Sequence, residues 1–386
     1  MNSWKFLVFF LFFLLFCLVF PAKSLAVFNP LTTPNNKVGI HILFPEEIHD
    51  AVKLVNANGG EWGYVTIPIQ AGEKNIEKWQ KFMDDARALR IIPIVRIASE
   101  GDYFNTKVWR KPTDMDILDF ANFLSSLRWP VKNRYIVVFN EVNRGDEWGG
   151  VPNPSEYAQI LSYAVTVFKS KSQDFFIISS GMDNAAATVP GVSINQYEFM
   201  YSMNQAVPGI FFQVDGIASH SYPNPAFSQP PSKVDNQSIA SFRFESELVK
   251  SLTGKSLPVF ITETGWSRER VSNLLTSLYY QTAFASVWSD TNVVAVTPFL
   301  LRANSGPFTM FSFLQPDNTP TLEYTMLHDL PKVKGEPITE QMVLGDFTQK
   351  LARIEEKTFV DTPVTTTVVV PVQIKSMLKW FLKMPI

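Results

Sequence analysis

Two glutamates stand where apolar runs stop. Tyr135-Ile136-Val137-Val138-Phe139 leads into Asn140-Glu141, and Val259-Phe260-Ile261-Thr262 leads into Glu263. In a parallel barrel the chemistry sits at the C-terminal ends of the strands, so a polar group that abruptly closes a buried strand is a site candidate. Breaking a glycosidic bond needs a proton on the leaving oxygen and a carboxylate facing the anomeric carbon, where positive charge develops. Two carboxyl groups suffice, with no metal. Held about 5 to 5.5 Å apart, such a pair supports retention of configuration. Taken singly, either glutamate reads equally well as a solvated loop carboxylate or an ion-paired group. The two together, in the fourth and seventh units of one repeating pattern, point to a site.

Other polar and aromatic residues close apolar runs in the same way. Arg96 ends the third run and is suited to a carboxylate or to sugar hydroxyls, with a structural ion pair as the alternative. His41 ends the first run, and His220-Ser221-Tyr222 the sixth. A core-satisfied imidazole and a loop aromatic are the plain alternatives for His220 and Tyr222. Trp148 and Trp266 follow the fourth and seventh runs and are the candidate platforms for sugar rings, and Phe299 ends the eighth.

These residues need eight strands to hold them. The apolar runs are Val38–Ile42, Tyr64–Ile69, Ile92–Ile97, Tyr135–Asn140, Phe175–Ser180, Gly216–His220, Val259–Thr262 and Val293–Phe299. They lack in/out alternation, as strands covered on both faces do. Amphipathic stretches separate them, among them Asn75 to Leu89, Asp114 to Leu127, Ser155 to Lys169, Ser238 to Leu252, Arg270 to Ser289 and Thr321 to Leu330. Thr113, Asn153, Ser155 and Ser272 are candidate helix caps. Eight βα units predict a closed (β/α)8 TIM barrel over residues 27–331, with a C-terminal extension or strap over residues 332–386. An open doubly wound sheet would need a glycine-rich phosphate loop after its first strand, where the chain instead reads His41-Ile42-Leu43-Phe44-Pro45.

Composition narrows the chemistry further. Of 386 residues, 46% are hydrophobic and 18% charged, which suits one large buried core and argues against disorder. A formal net charge of −2 gives no electrostatic case for nucleic acid as a partner. Lys5, the apolar run Phe6 to Phe20 and the small-residue site Ser24-Leu25-Ala26 read as a signal peptide over residues 1–26, with an uncleaved membrane anchor as the alternative. The protein is therefore expected to be secreted, periplasmic or held at the outer surface. Cys17 lies within that leader, so the mature chain has no thiol for a disulfide, a nucleophile or a metal site. The four histidines show no ligand spacing, and neither a metal nor another cofactor is expected. Lys375, Lys379 and Lys383 share one helical face in an apolar tail, consistent with membrane-surface contact or with a strap on the barrel.

Asn140-Glu141 ending strand four, with Thr262-Glu263-Thr264-Gly265-Trp266 ending strand seven, resembles clan A, the 4/7 superfamily of retaining glycoside hydrolases on (β/α)8 barrels. That resemblance, to cellulase-like or β-glycanase-like members, implies that Glu141 is the acid/base and Glu263 the nucleophile. It also implies that Asn140 binds the sugar 2-hydroxyl. His220-Ser221-Tyr222 resembles the His-x-Tyr of cellulase-like members, which implies a Tyr222 hydrogen bond to Glu263 and a His220 lining the subsite. Strand eight departs from the pattern: Thr297-Pro298-Phe299 stands where many members carry a tryptophan. Ser267 replaces the proline of the Glu-Thr-Gly-Trp-Pro found in plant-type β-1,3-glucanases. The implied activity is metal-free hydrolysis of β-linked oligo- or polysaccharides. A glycan-remodelling transglycosylase and a catalytically silent carbohydrate-binding barrel are the alternatives.

Overall fold

The computed structural model describes residues 27–99 and 106–339. The leader expected over residues 1–26 and the lysine-spaced tail lie outside them. Each apolar run becomes a strand: β1 (Gly39–His41), β2 (Gly63–Gln70), β3 (Ile91–Ala98), β4 (Arg134–Val138), β5 (Phe175–Ser179), β6 (Gly216–His220), β7 (Val259–Glu263) and β8 (Val293–Val296). They pair in parallel in chain order. The sheet closes through a parallel bridge between Val38 and Val296, with Val296 N donating to Lys37 O at 2.8 Å and His41 N to Pro298 O at 3.0 Å. A (β/α)8 TIM barrel results, and its strands are buried on both faces, as the unbroken apolar runs require.

The helices are α1 (Ile48–Val55), α2 (Ile76–Ala88), α3 (Asp114–Ser126), α4 (Pro154–Lys171), α5 (Gln196–Ala206), α6 (Ile210–Gln213), α7 (Ser241–Thr253), α8 (Asn273–Ala285) and α9 (Leu322–Asp329). Side-chain caps start six of them, at Asn75, Thr113, Asn153, Asn195, Ser272 and Thr321. Thr113 and Asp116 satisfy each other's backbone at the head of α3, Asp116 Oδ2 accepting from Thr113 N at 2.7 Å. Asn153 Oδ1 accepts from Ser155 N and Glu156 N before α4, so Asn153 is the cap and Ser155 falls inside the first turn. Ser272 caps α8.

The core has three zones. Most of it lies between sheet and helices. A second zone fills the barrel, where Tyr135 meets Phe176 at 5.1 Å and Phe260 at 5.3 Å between ring centroids. A third, of Tyr222, Phe299 and Phe311, lies at the C-terminal mouth. The opposite end is floored by the two ends of the described chain. Phe28 N donates to Asn133 Oδ1 at 3.0 Å, Asn35 Nδ2 to Val294 O at 2.6 Å, Lys132 N to Ile338 O and Glu336 N to Pro34 O at 2.8 Å.

Candidate active site

β4 and β8 stop short of their apolar runs because the chain turns into the mouth there. Phe139 (φ 68°) and Glu141 (φ 34°) both take left-handed backbone, which non-glycine residues adopt at a cost and which gathers at functional sites. The turn is pinned by Glu141 N donating to Gly181 O at 3.0 Å and Arg144 N donating to Glu141 O at 2.8 Å. After β8, Pro298 has no N–H to extend the ladder. Glu263, by contrast, is still within β7 and in register with His220 of β6.

This framework brings the two glutamates together. One oxygen of Glu141, one of Glu263 and a ring nitrogen of His220 all lie within 4.8 Å of one another. Arg96 Nη1 donates to Glu263 Oε1 at 2.6 Å and also to Asn140 Oδ1. Tyr222 OH donates to Glu263 Oε2 at 3.1 Å. His220 Nδ1 is 3.0 Å from Glu141 Oε1 and 3.8 Å from Glu263 Oε2. Because guanidinium can only donate, Asn140 must present its oxygen to Arg96, which leaves its amide N–H₂ as a donor.

Charge separates the roles of these groups. Burial alone would raise Glu263, but His220, Arg96 and His41 oppose it, and with the Tyr222 hydrogen bond they bring it down to about 2. His41 is itself pushed down to about 3 by burial and by the Arg96 charge, so it is neutral at neutral pH. The fixed positive charge beside Glu263 there is that of Arg96. His220 is raised, the two glutamates outweighing its burial. Burial and the nearby glutamates hold Tyr222 well above the ordinary phenol range, so it remains a donor.

The site residues named from strand ends divide into two groups. Arg96, Asn140, Glu141, Tyr222, Glu263 and Phe299 line a cleft of about 360 Å³ at the mouth. His41 and His220 are near the pair but fully buried, so they back the carboxylates instead of touching sugar as expected. Trp148 and Trp266 are corrected outright. Each is only 1% exposed. Trp148 packs edge-on between Phe139 and Tyr157, and Trp266 against Tyr279, Tyr280 and Trp288. Stacking a sugar needs a free ring face, which neither has. Phe308, 40% exposed and edge-on to Phe299, offers one.

Three neighbours escaped the strand-end rule. Arg144, from the loop after β4, donates to Glu141 Oε2 at 3.1 Å and to Asp146, and its Nη1 lies 3.6 Å from Asp183. Its spacing three residues after Glu141 was the available signal. Gly181, after β5, leaves room for His220: a Cβ there would lie 2.2 Å from the imidazole. Glu147 also lines the cleft. Glu141, His220 and Glu263 are the described residues spaced closely enough to hold a metal ion. Arg96 on one carboxylate and Arg144 on the other already supply the positive charge a cation would bring.

No family model and no curated protein matches the sequence. Solved structures do. A family 39 glycoside hydrolase from Bacteroides cellulosilyticus WH2 superposes with a TM-score of 0.55 at 17% identity, over 79% of this chain and 65% of that one. A GH39 β-xylosidase from Caulobacter crescentus gives 0.55 at 14% identity, over 77% and 71% of the two chains. A GH5_18 protein from Bifidobacterium longum subsp. infantis gives 0.53 at 12%, over 77% and 79%. What they share with this chain is the barrel.

Proposed function

We propose that the protein is a retaining glycoside hydrolase that cuts β-linked oligo- or polysaccharides by double displacement. The observation that carries this reading is the separation of the two carboxyl groups, with oxygens within 4.8 Å. That close approach suits direct attack, whereas the carboxyl groups of an inverting enzyme stand roughly 6.5 to 9.5 Å apart with a water between them. Glu263, ionised and pinned by Arg96 and Tyr222, attacks the anomeric carbon as Glu141 gives its proton to the leaving oxygen. The sugar is then an ester of Glu263. Glu141, now a carboxylate, takes a proton from water as that water attacks the anomeric carbon and releases Glu263. Asn140 turns its amide donor to the 2-hydroxyl. That the neighbours of similar fold carry glycoside hydrolase names, one a β-xylosidase, supports the reaction class.

Two variants test the assignment. Glu263→Ala should lose turnover and regain part of it with azide, giving a product of inverted configuration. Glu141→Ala should fall by about 10²- to 10⁴-fold on unactivated glycosides, yet keep most of its rate on aryl glycosides with very good leaving groups. Full activity in Glu263→Ala would falsify the proposal. We also read residues 1–26 as an export signal. Recovery of a secreted product beginning at Val27 is the expected result, and retention of the leader in the exported protein would favour the anchor.

A further inference from the structure

The cleft that holds the carboxyl pair is the middle one of three hollows across the mouth. A second, of about 420 Å³, lies between the loops that follow β1 and β8. Leu43 and Phe308 line both this hollow and the central cleft, so they form the saddle between the two. A third, of about 450 Å³, lies between the loops that follow β4 and β5 and shares Arg144, Asp146 and Asp183 with the centre. Each falls in the range of roughly 300–1,000 Å³ usual for ligand sites. The carboxyl pair therefore has room for bound material on both sides.

The second hollow holds aromatic rings out toward solvent. Phe44 is 47% exposed and Phe308 40% exposed, and both line it. Their loops are fixed. Glu47 Oε2 accepts from Leu43 N at 2.8 Å and from Phe44 N at 3.1 Å, which sets the backbone that carries Phe44. Arg302, entering from the β8 side, donates to Asp50 at 2.8 Å and lies 3.7 Å from Glu47, so the two loops are tied together. Phe308 stands edge-on to Phe299 at 5.1 Å. Asn304 and Ser305, both exposed, add amide and hydroxyl groups to the same wall. A pyranose offers apolar C–H faces and a rim of hydroxyls, and exposed rings beside polar groups complement both.

We propose that the mouth is a groove for the interior of a neutral glycan chain, so that the bond cut is an internal one. Sugar units lie over Phe44 and Phe308 on one side of that bond and along Arg144 and Asp183 on the other. The proposal rests on the glycosidase reading for its substrate class. Removal of terminal sugars needs a site that stops beside the carboxyl pair and binds a chain end, whereas here the hollows continue both ways. Contacts to the outer units would hold the reacting bond over the pair, which raises kcat/KM with chain length. Charge sets the kind of chain. Each outer hollow is lined by one arginine against two carboxyl groups, Arg302 with Glu46 and Glu47, and Arg144 with Asp146 and Asp183. A chain of acidic sugars would meet surplus negative charge in both.

The test compares chain lengths in the cello-, laminari-, xylo- and manno- series. The preferred hexaose should first yield fragments of two to four sugars, and the matching polymer should lose viscosity well before reducing ends accumulate. From disaccharide to hexaose, kcat/KM should rise about tenfold or more. Phe44→Ala should cut that hexaose advantage about three- to tenfold, whereas Phe44→Trp, which keeps a flat apolar face, should preserve it. A hexaose of β-linked mannuronic acid should bind about tenfold more weakly than the preferred neutral one. Release of single sugars from one end of the hexaose overturns the proposal and leaves the hydrolase reading standing. So does a hexaose advantage untouched by Phe44→Ala, or mannuronate bound as tightly as the neutral chain. Should Phe44→Ala fail to fold, the product pattern of the wild type decides alone. If nothing is cleaved, the hydrolase reading falls and calorimetry decides the groove: it stands if the hexaose binds more tightly than the disaccharide and Phe44→Ala removes the difference, and falls otherwise.

Discussion

Glu263 is buried under a guanidinium and a phenol, and the effect of removing either is asymmetric. Breaking a buried ion pair leaves an uncompensated charge and typically costs about 3–5 kcal/mol. Arg96→Met should therefore lower kcat/KM by about 10²- to 10³-fold and move the acid limb of its pH profile upward from about 2. Tyr222→Phe removes one hydrogen bond to a charged group, worth roughly 1.5–3 kcal/mol, and should cost about ten- to a hundredfold with a smaller shift in the same direction. A pH profile of kcat/KM that stays put in both variants would show that neither tunes the carboxylate. The same depression contributes to stability: that contribution is complete above the ordinary carboxylate value of 4.5 and is lost as pH falls through about 2. Glu141, Glu263, Arg96 and Tyr222 were legible in the sequence because each stands at or just past the C-terminal end of an apolar strand. Arg144, Glu147 and Asp183 were not, since they enter from loops whose path no hydrophobic period specifies. Trp148 and Trp266 misled for a related reason. Residue type records an aromatic ring but not which way the loop turns it, and both turn back into the layer between sheet and helices.

Elements carry local signals unequally. Helix starts at Thr113, Asn153 and Ser272 could be read because a cap is a hydrogen bond within three residues of its own chain. Strand ends at β4 and β8 were placed too late, because the apolar run continues into residues that pack the mouth while the ladder has already stopped. Two substitutions separate element stability from site geometry. Thr113→Ala should lower stability by about 1 kcal/mol, seen as a fall in Tm of a few degrees, with kcat unchanged. Gly181→Ala forces a methyl group against the His220 ring, which must move away from Glu141. Overpacking of this kind costs about 1–3 kcal/mol, but the larger effect should be on kcat, at least tenfold. A Gly181→Ala protein with normal kcat would mean that the His220–Glu141 contact is dispensable.

At the scale of the whole molecule, the aromatic residues sort into those that hold the barrel and those that face its opening. Trp266→Ala should cost about 3–5 kcal/mol, measured by chemical denaturation, because the space between Tyr280 and Trp288 cannot refill. Phe308→Ala should leave stability nearly unchanged and raise KM by about three- to tenfold. The reverse pattern would place sugar on Trp266 after all. The floor of the barrel has a consequence for orientation. Residues 27–36 enter and residues 332–338 leave at the N-terminal ends of the strands, joined by Glu336 N to Pro34 O. Both connections therefore pass beneath the barrel, and among the described residues neither crosses the rim that carries Glu141 and Glu263.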